Sequence, residues 1–173
     1  MKTLLAVASL SLFITGCASM PQAANEPLTK YERIVDISDT SKEKIYEGSR
    51  QWFAKSFNDS NSVIKYEDAK TGSIIGKGSM QYNCVGGVLM CYATQDDKLE
   101  FTVRVDAKDN RARVSFEDLN IHSPSTYSAG VRTPASDSKV ILQNEVTAVK
   151  AMLDKTVDSL AGDVKAGSKS TNW

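Results

Sequence analysis

The sequence predicts an α+β domain: one antiparallel sheet of about five strands with two helices packed on one of its faces. Three observations carry this. Residues 98–106, "KLEFTVRVD", place Leu99, Phe101, Val103 and Val105 on one side and Lys98, Glu100, Thr102, Arg104 and Asp106 on the other. One dry and one wet face marks a strand of an antiparallel sheet covered on one side only. Ile45, Tyr46, Ser49, Trp52, Phe53 and Phe57 recur at helical spacing, and so do Leu142, Val146, Val149, Leu153, Val157, Leu160 and Val164. A dry sheet face needs a cover, and these two stripes supply it. A coiled-coil seam is the alternative for the second stripe, but that stripe spans only about three heptads.

The predicted order is strand, helix, four strands, helix. The first strand is 31–37, "YERIVDI", with Tyr31, Arg33, Val35 and Ile37 sharing a face. Arg33 on that face has to lie near the sheet margin or extend its charge to solvent. Thr40 and Glu43 fit a capping box for a helix over 41–57. "SVIKYED" follows as a strand with Ile64 and Tyr66 together. A turn at 69–72 leads to a longer strand over 73–84. Its dry face holds Ile74, Gly76, Gly78, Met80, Tyr82 and Cys84. Two glycines there weaken a strand, so they make room for a helix or mark a bulge.

Gly86 and Gly87 suggest a hairpin turn with 88–92 returning. Cys84 and Cys91 flank it, and a structural disulfide is the favoured reading. Two free thiols or a redox pair are the rivals, the last disfavoured because six residues intervene in strand-like sequence. After 98–106, "AKDN" turns the chain, and Ala112, Val114 and Phe116 continue the dry face. Leu119 and Ile121 break that parity, which predicts a bulge near Asp118 or the strand's end. Residues 122–138 are long, polar and aperiodic. They read as a mobile surface loop or a partner-binding loop. The last helix is expected over 138–161, with Gly162 ending it and a loose tail over 162–173.

The amino terminus has its own logic. Lys2 precedes a short, mostly apolar run, Leu4 to Ile14, too short to span a bilayer, which takes about 20 residues. Thr15 and Gly16 are small, and Cys17 follows. The stretch Ile14, Thr15, Gly16, Cys17 resembles the bacterial lipoprotein signal. The resemblance implies cleavage of residues 1–16, a lipid on Cys17, and membrane attachment through it. An ordinary secretory signal with an incidental cysteine is the alternative. Ala18 stands where an aspartate would resemble inner-membrane retention, so the family rule favours the outer membrane. Residues 17–29, with two prolines and little apolar bulk, read as the lipidated cysteine and a flexible spacer before a domain over 30–161.

Taken together, "YERIVDIS", "RQWFAKSF", "YEDAKTGSIIGKG", "LEFTVRVDAKDNRARVSFED" and the terminal helix resemble a bacterial family of unknown function described as having a TBP-like fold. The resemblance covers roughly 31–161 and implies a curved sheet, one TBP-like half-unit, with both helices on its convex side. It implies an envelope location, not DNA binding.

The chain carries 21 basic and 21 acidic residues. Losing the leader removes Lys2 and leaves 20 against 21, which argues against a broad nucleic-acid surface. The wet face mixes Glu100, Glu117, Arg104, Arg111 and Arg113. The one histidine, His122, stands beside Ser123, but neighbouring side chains on a strand diverge and no acid is set beside the pair. No zinc, calcium or phosphate-loop spacing occurs; "GSIIGKG" lacks the long turn and the lysine-serine end of a phosphate loop. The expectation is a non-catalytic lipoprotein without cofactor or metal, held on the periplasmic side of the outer membrane through lipid on Cys17. It would bind another envelope protein through Lys77, Gln81, Glu100, Arg104, Arg113 and the 122–138 loop, with Tyr127 as its probe position. A small apolar ligand or peptide held between sheet and helices, near Gly76, Gly78, Trp52 and Phe53, is the alternative; an enzyme is a distant third.

Overall fold

The structure is a computed structural model that describes residues 21–57, 64–82 and 96–169. Cys17, Cys84, Cys91 and the 88–92 strand lie outside the described residues.

In chain order the elements are β1 (Lys30–Asp36), α1 (Lys42–Ser56), β2 (Ile64–Asp68), β3 (Ser73–Gln81), β4 (Lys98–Lys108) and β5 (Arg111–Ser123). Then come β6 (Thr126–Ser128), β7 (Val131–Thr133), β8 (Ser136–Lys139) and α2 (Gln143–Lys169). The sheet runs β1-β5-β4-β3-β2, and every pairing is antiparallel. A sixth strand, β8, pairs with the far half of β5, beyond the stretch that β1 pairs. The predicted α+β class holds: the main sheet is dry on one face, with both helices there, and β6 and β7 form a second, two-stranded sheet.

The dry face is aromatic. Trp52 and Phe53 of α1 and Phe57 at its C-terminal cap meet Phe101 and Phe116 of the sheet in a chain of edge-to-face and tilted contacts, centroids 5.1–5.9 Å apart. Gly78 is what lets α1 in. A Cβ there would stand 2.7 Å from Phe101 Cε2 and 3.0 Å from Phe57 Cε1. Gly48 does the same between helices, where a Cβ would meet Val164 Cγ2 at 3.0 Å.

Several expectations shift. Helix α1 is capped by Ser41, whose Oγ accepts from Lys44 N–H at 3.4 Å; Thr40 donates instead to Ser38 O, so the Thr40–Glu43 box does not form. Asp109 and Asn110, from the β4–β5 turn, accept from the N–H groups of Lys42 and Thr40 and supply what the box would have. Ile64 and Tyr66 part company because β2 is bulged between them: Ile64 faces the core and Tyr66 faces solvent. The bulge expected near Asp118 is present; Asp118 has φ 55° and the β4–β5 register slips opposite it. Strand β4 continues through Ala107 and Lys108, so the turn is shorter than "AKDN".

Residues 122–138 are not aperiodic loop. They hold the end of β5, the β6–β7 ribbon and most of β8. Three-residue strands are too short for alternation to show in sequence. Helix α2 starts later than expected and runs through Gly162. Val157, Leu160, Ala161 and Val164 stay buried across that glycine, and their packing outweighs its cost of about 1 kcal/mol. The end of the expected spacer is docked, not loose: Ala24 and Leu28 N–H donate to Ile141 O and Val140 O, and Leu28 is buried.

Arg33 resolves its problem by the first of the two routes. β1 is an edge strand, and Arg33 reaches Asp154 at 3.1 Å and Asp158 at 2.8 Å on α2. Tyr31 OH also donates to Asp154. Burial, then this bond to a carboxylate, pushes the Tyr31 phenol up to about 12.

Candidate functional site

The other face of the sheet carries no helix. Its residues form cross-strand rows. One row runs Ile34 (β1), Arg113 (β5), Asp106 (β4), Ser73 (β3) and Asp68 (β2); the next runs Glu32, Ser115, Arg104, Ile75 and Tyr66. Period-two alternation puts all of these on one side.

Asp106 organises the centre. Its Oδ1 accepts from Ser73 Oγ at 2.7 Å and from Arg104 Nε at 2.9 Å, and its Oδ2 accepts from Arg113 Nη2 at 2.9 Å. Its side chain is only 12% exposed, against 48% and 50% for the two arginines. Burial pushes its carboxyl up, but hydrogen bonds from Arg104, Ser73 and Arg113 outweigh this and hold it below the usual carboxylate range. Two long cations are thereby held side by side, each with an open edge to solvent.

Lys77, Gln81, Glu100, Arg104 and Arg113 all lie on this face, as the alternation predicts. The structure joins Arg104 to Arg113 through Asp106. Lys77 sits opposite Thr102 and Glu100 opposite Ser79 and Asn120; Gln81 donates to Asp97 O at 3.0 Å. Tyr127 is elsewhere. It stands 75% exposed on the β6–β7 ribbon, a separate two-stranded sheet.

Sequence reasoning left out Ile34, Asp106 and Lys108 as candidates and gave Arg111 no more than a place on the wet face. Ile34 is 59% exposed, at the middle of an edge strand. With Asp106, Lys108, Arg111 and Arg113 it lines a depression of about 190 Å³. Lys108 was hidden by its assignment to the turn. A signal for Ile34 was available: an isoleucine between Arg33 and Val35 must face away from them.

His122 gains an acid that its sequence neighbours do not offer. Asp137 of β8 sits opposite it, with Oδ1 2.7 Å from Nδ1. Among the described residues no hydroxyl or thiol is bonded to the ring, so the pair fastens β8 to β5.

The family model for a domain of unknown function with a TBP-like fold, DUF4468, matches residues 31–122. The chain belongs to this family. A TBP-like protein from Parabacteroides distasonis is 14% identical, with a TM-score of 0.58 over 79% of this chain and 92% of that one. A DUF4468 family protein from Bacteroides ovatus is 16% identical, with a TM-score of 0.53 over 83% and 87% of the two chains. At such identities the likeness is one of fold. No curated protein matches the chain. The family match spans β1 to β5 and ends at His122, so the ribbon, β8 and α2 lie beyond it.

Proposed function

We propose that this DUF4468 protein is a lipoprotein, tethered through lipid on Cys17 to the periplasmic face of the outer membrane, whose open sheet face binds a protein of the envelope without catalysis. The observation that carries the reading is the asymmetry of the sheet. Both helices pack on one face, and the other presents Ile34, Tyr66 and two braced arginines to solvent. Arginine, tyrosine and aliphatic side chains grouped on an open surface are the composition of protein interfaces. Among the described residues no helix is long and apolar enough to cross a membrane, so attachment in this reading falls to Cys17. Cys84 and Cys91 are proposed to be bonded.

In-cell photocrosslinking of the full-length chain from Lys77, Arg104 and Tyr127 tests the binding role. A discrete adduct from Lys77 or Arg104 supports the face; adducts from none of the three overturn it. A Cys17→Ser variant that still labels with palmitate, or still fractionates with outer membrane, overturns the anchor.

One observation favours a ligand instead. Among the described residues the Trp52 indole N–H is buried without a partner, and Trp52 lines a groove of about 250 Å³ between α1 and α2. The space at Gly78, where the ligand was first expected, is filled by Phe57 and Phe101. Native mass spectrometry of purified protein tests this; a bound small molecule lost on Trp52→Phe supports it.

A further inference from the structure

We propose that the depression beside the β4–β5 turn binds a carboxylate of an acidic, extended segment of a protein partner, with an aliphatic neighbour of that carboxylate lying on Ile34. The inference rests on the reading that the open face is the binding face, and it names the partner's chemistry.

The charge balance of the depression is lopsided. Lys108, Arg111 and Arg113 line it against one carboxylate, Asp106, in a chain whose formal net charge is zero. That carboxylate is already committed. Both of its oxygens are taken up by Arg104, Arg113 and Ser73, so it does not compete for Lys108 or Arg111. Neither Lys108 nor Arg111 has an ion pair among the described residues. The nearest further acid in register is Asp36, opposite Arg111 across the β1–β5 ladder, and it makes no ion pair with Arg111. Arg113 is braced by two bonds to Asp106, so its open edge is already oriented for a second acceptor. The planar fork of Arg111 suits a carboxylate in the same way.

Apolar content favours a peptide over a free anion. A depression of about 190 Å³ has room for an acidic side chain as well as a single ion. A bare inorganic ion would leave Ile34 uncovered in the middle of β1. A segment alternating acidic and aliphatic residues covers it while its carboxylate meets Lys108 and Arg111.

The test is fluorescence anisotropy of a labelled peptide, acetyl-Leu-Asp-Leu-Glu-Leu-amide, against the full-length protein in detergent. Its isostere with Asn and Gln in place of Asp and Glu is the comparison. The acidic peptide is expected to bind at least about tenfold tighter than the isostere. A Lys108→Glu/Arg111→Glu double variant is expected to lose at least about tenfold, and Ile34→Ser a smaller factor, while Lys150→Glu, exposed on α2 away from the open face, leaves binding unchanged. These side chains are exposed, and circular dichroism confirms that the variants fold. Equal affinity for the isostere, indifference to the double variant, or no binding at millimolar peptide overturns the proposal. So does full displacement by millimolar inorganic phosphate, which marks a free-anion site. A dimer in analytical ultracentrifugation that the double variant dissociates marks a second copy as the occupant and overturns it too. If the peptide fails while Lys77 or Arg104 crosslinks in cells, this proposal falls and the binding face stands.

Discussion

The two faces of the sheet are made from alternate residues of the same strands, and they are held by different physics. On the covered face Phe101, Val103 and Val105 of β4 are buried against helices, and a single added carbon at Gly78 has nowhere to go. On the open face Arg104 and Asp106 of the same strand sit in a lattice of charge-assisted bonds with solvent above it. The first face is intolerant because close-packed interiors cannot relax around a changed volume. The second tolerates change wherever water can replace a lost partner, and resists only at its one sheltered carboxylate. Stability therefore lies with the covered face, and the open face is free to carry recognition.

Truncating the covered face should have the largest effect. Phe101→Ala removes the ring between Phe57 and Phe116 and should cost about 3–5 kcal/mol in urea unfolding. Gly78→Ala should cost about 1–3 kcal/mol, and pairing it with Phe101→Leu should recover part of the loss if the clash is the cause. A cost below that of a surface substitution would break the contrast between the faces.

The open face has its own sensitive point. Asp106→Asn should cost about 1–3 kcal/mol, since two arginines lose their shared acceptor. The Asp106 carboxyl is held below its ordinary value of 3.8 in the folded protein. Its contribution is therefore fully present above that value and lost as pH falls through the lower folded one. The advantage of the natural protein over Asp106→Asn should shrink with acid in that window.

At the margin between the faces, Tyr31→Phe should cost about 1 kcal/mol at neutral pH. Its raised value reverses the direction of the pH effect. The Tyr31 contribution is present below 10.0, the ordinary phenol value, and lost as pH rises through about 12, so Tyr31→Phe should melt less steeply with alkali. Lys77→Glu, far from any sheltered group, should change stability by less than about 0.5 kcal/mol. A larger loss would mean that the open face contributes to folding after all.

Much of this was legible. Alternation along β3, β4 and β5 placed Lys77, then Glu100 and Arg104, then Arg113 on the wet side of their strands, because these strands are long enough for period two to show. The parity break at Leu119 and Ile121 left a bulge near Asp118 or the strand's end, and the structure has the bulge. The 122–138 segment was misread because its three-residue strands carry no period. Gly162 was misread as a stop because a local propensity of about 1 kcal/mol is small beside the packing of a buried stripe. The capping of α1 was misassigned by one residue because its second half comes from Asp109 and Asn110, far along the chain.

By itself the sequence determined the class of fold and which side of each long strand faces water, and it holds the Cys17 motif on which the proposed lipid anchor rests. These are local patterns, written in residues a few positions apart. Only the tertiary structure decided that Asp106 ties Arg104 to Arg113, that Ile34 opens beside Lys108 and Arg111, and that His122 meets Asp137. Each of those depends on strand order and register. They follow from how separate segments bury their apolar faces together, and no stretch of one strand encodes its neighbour's position.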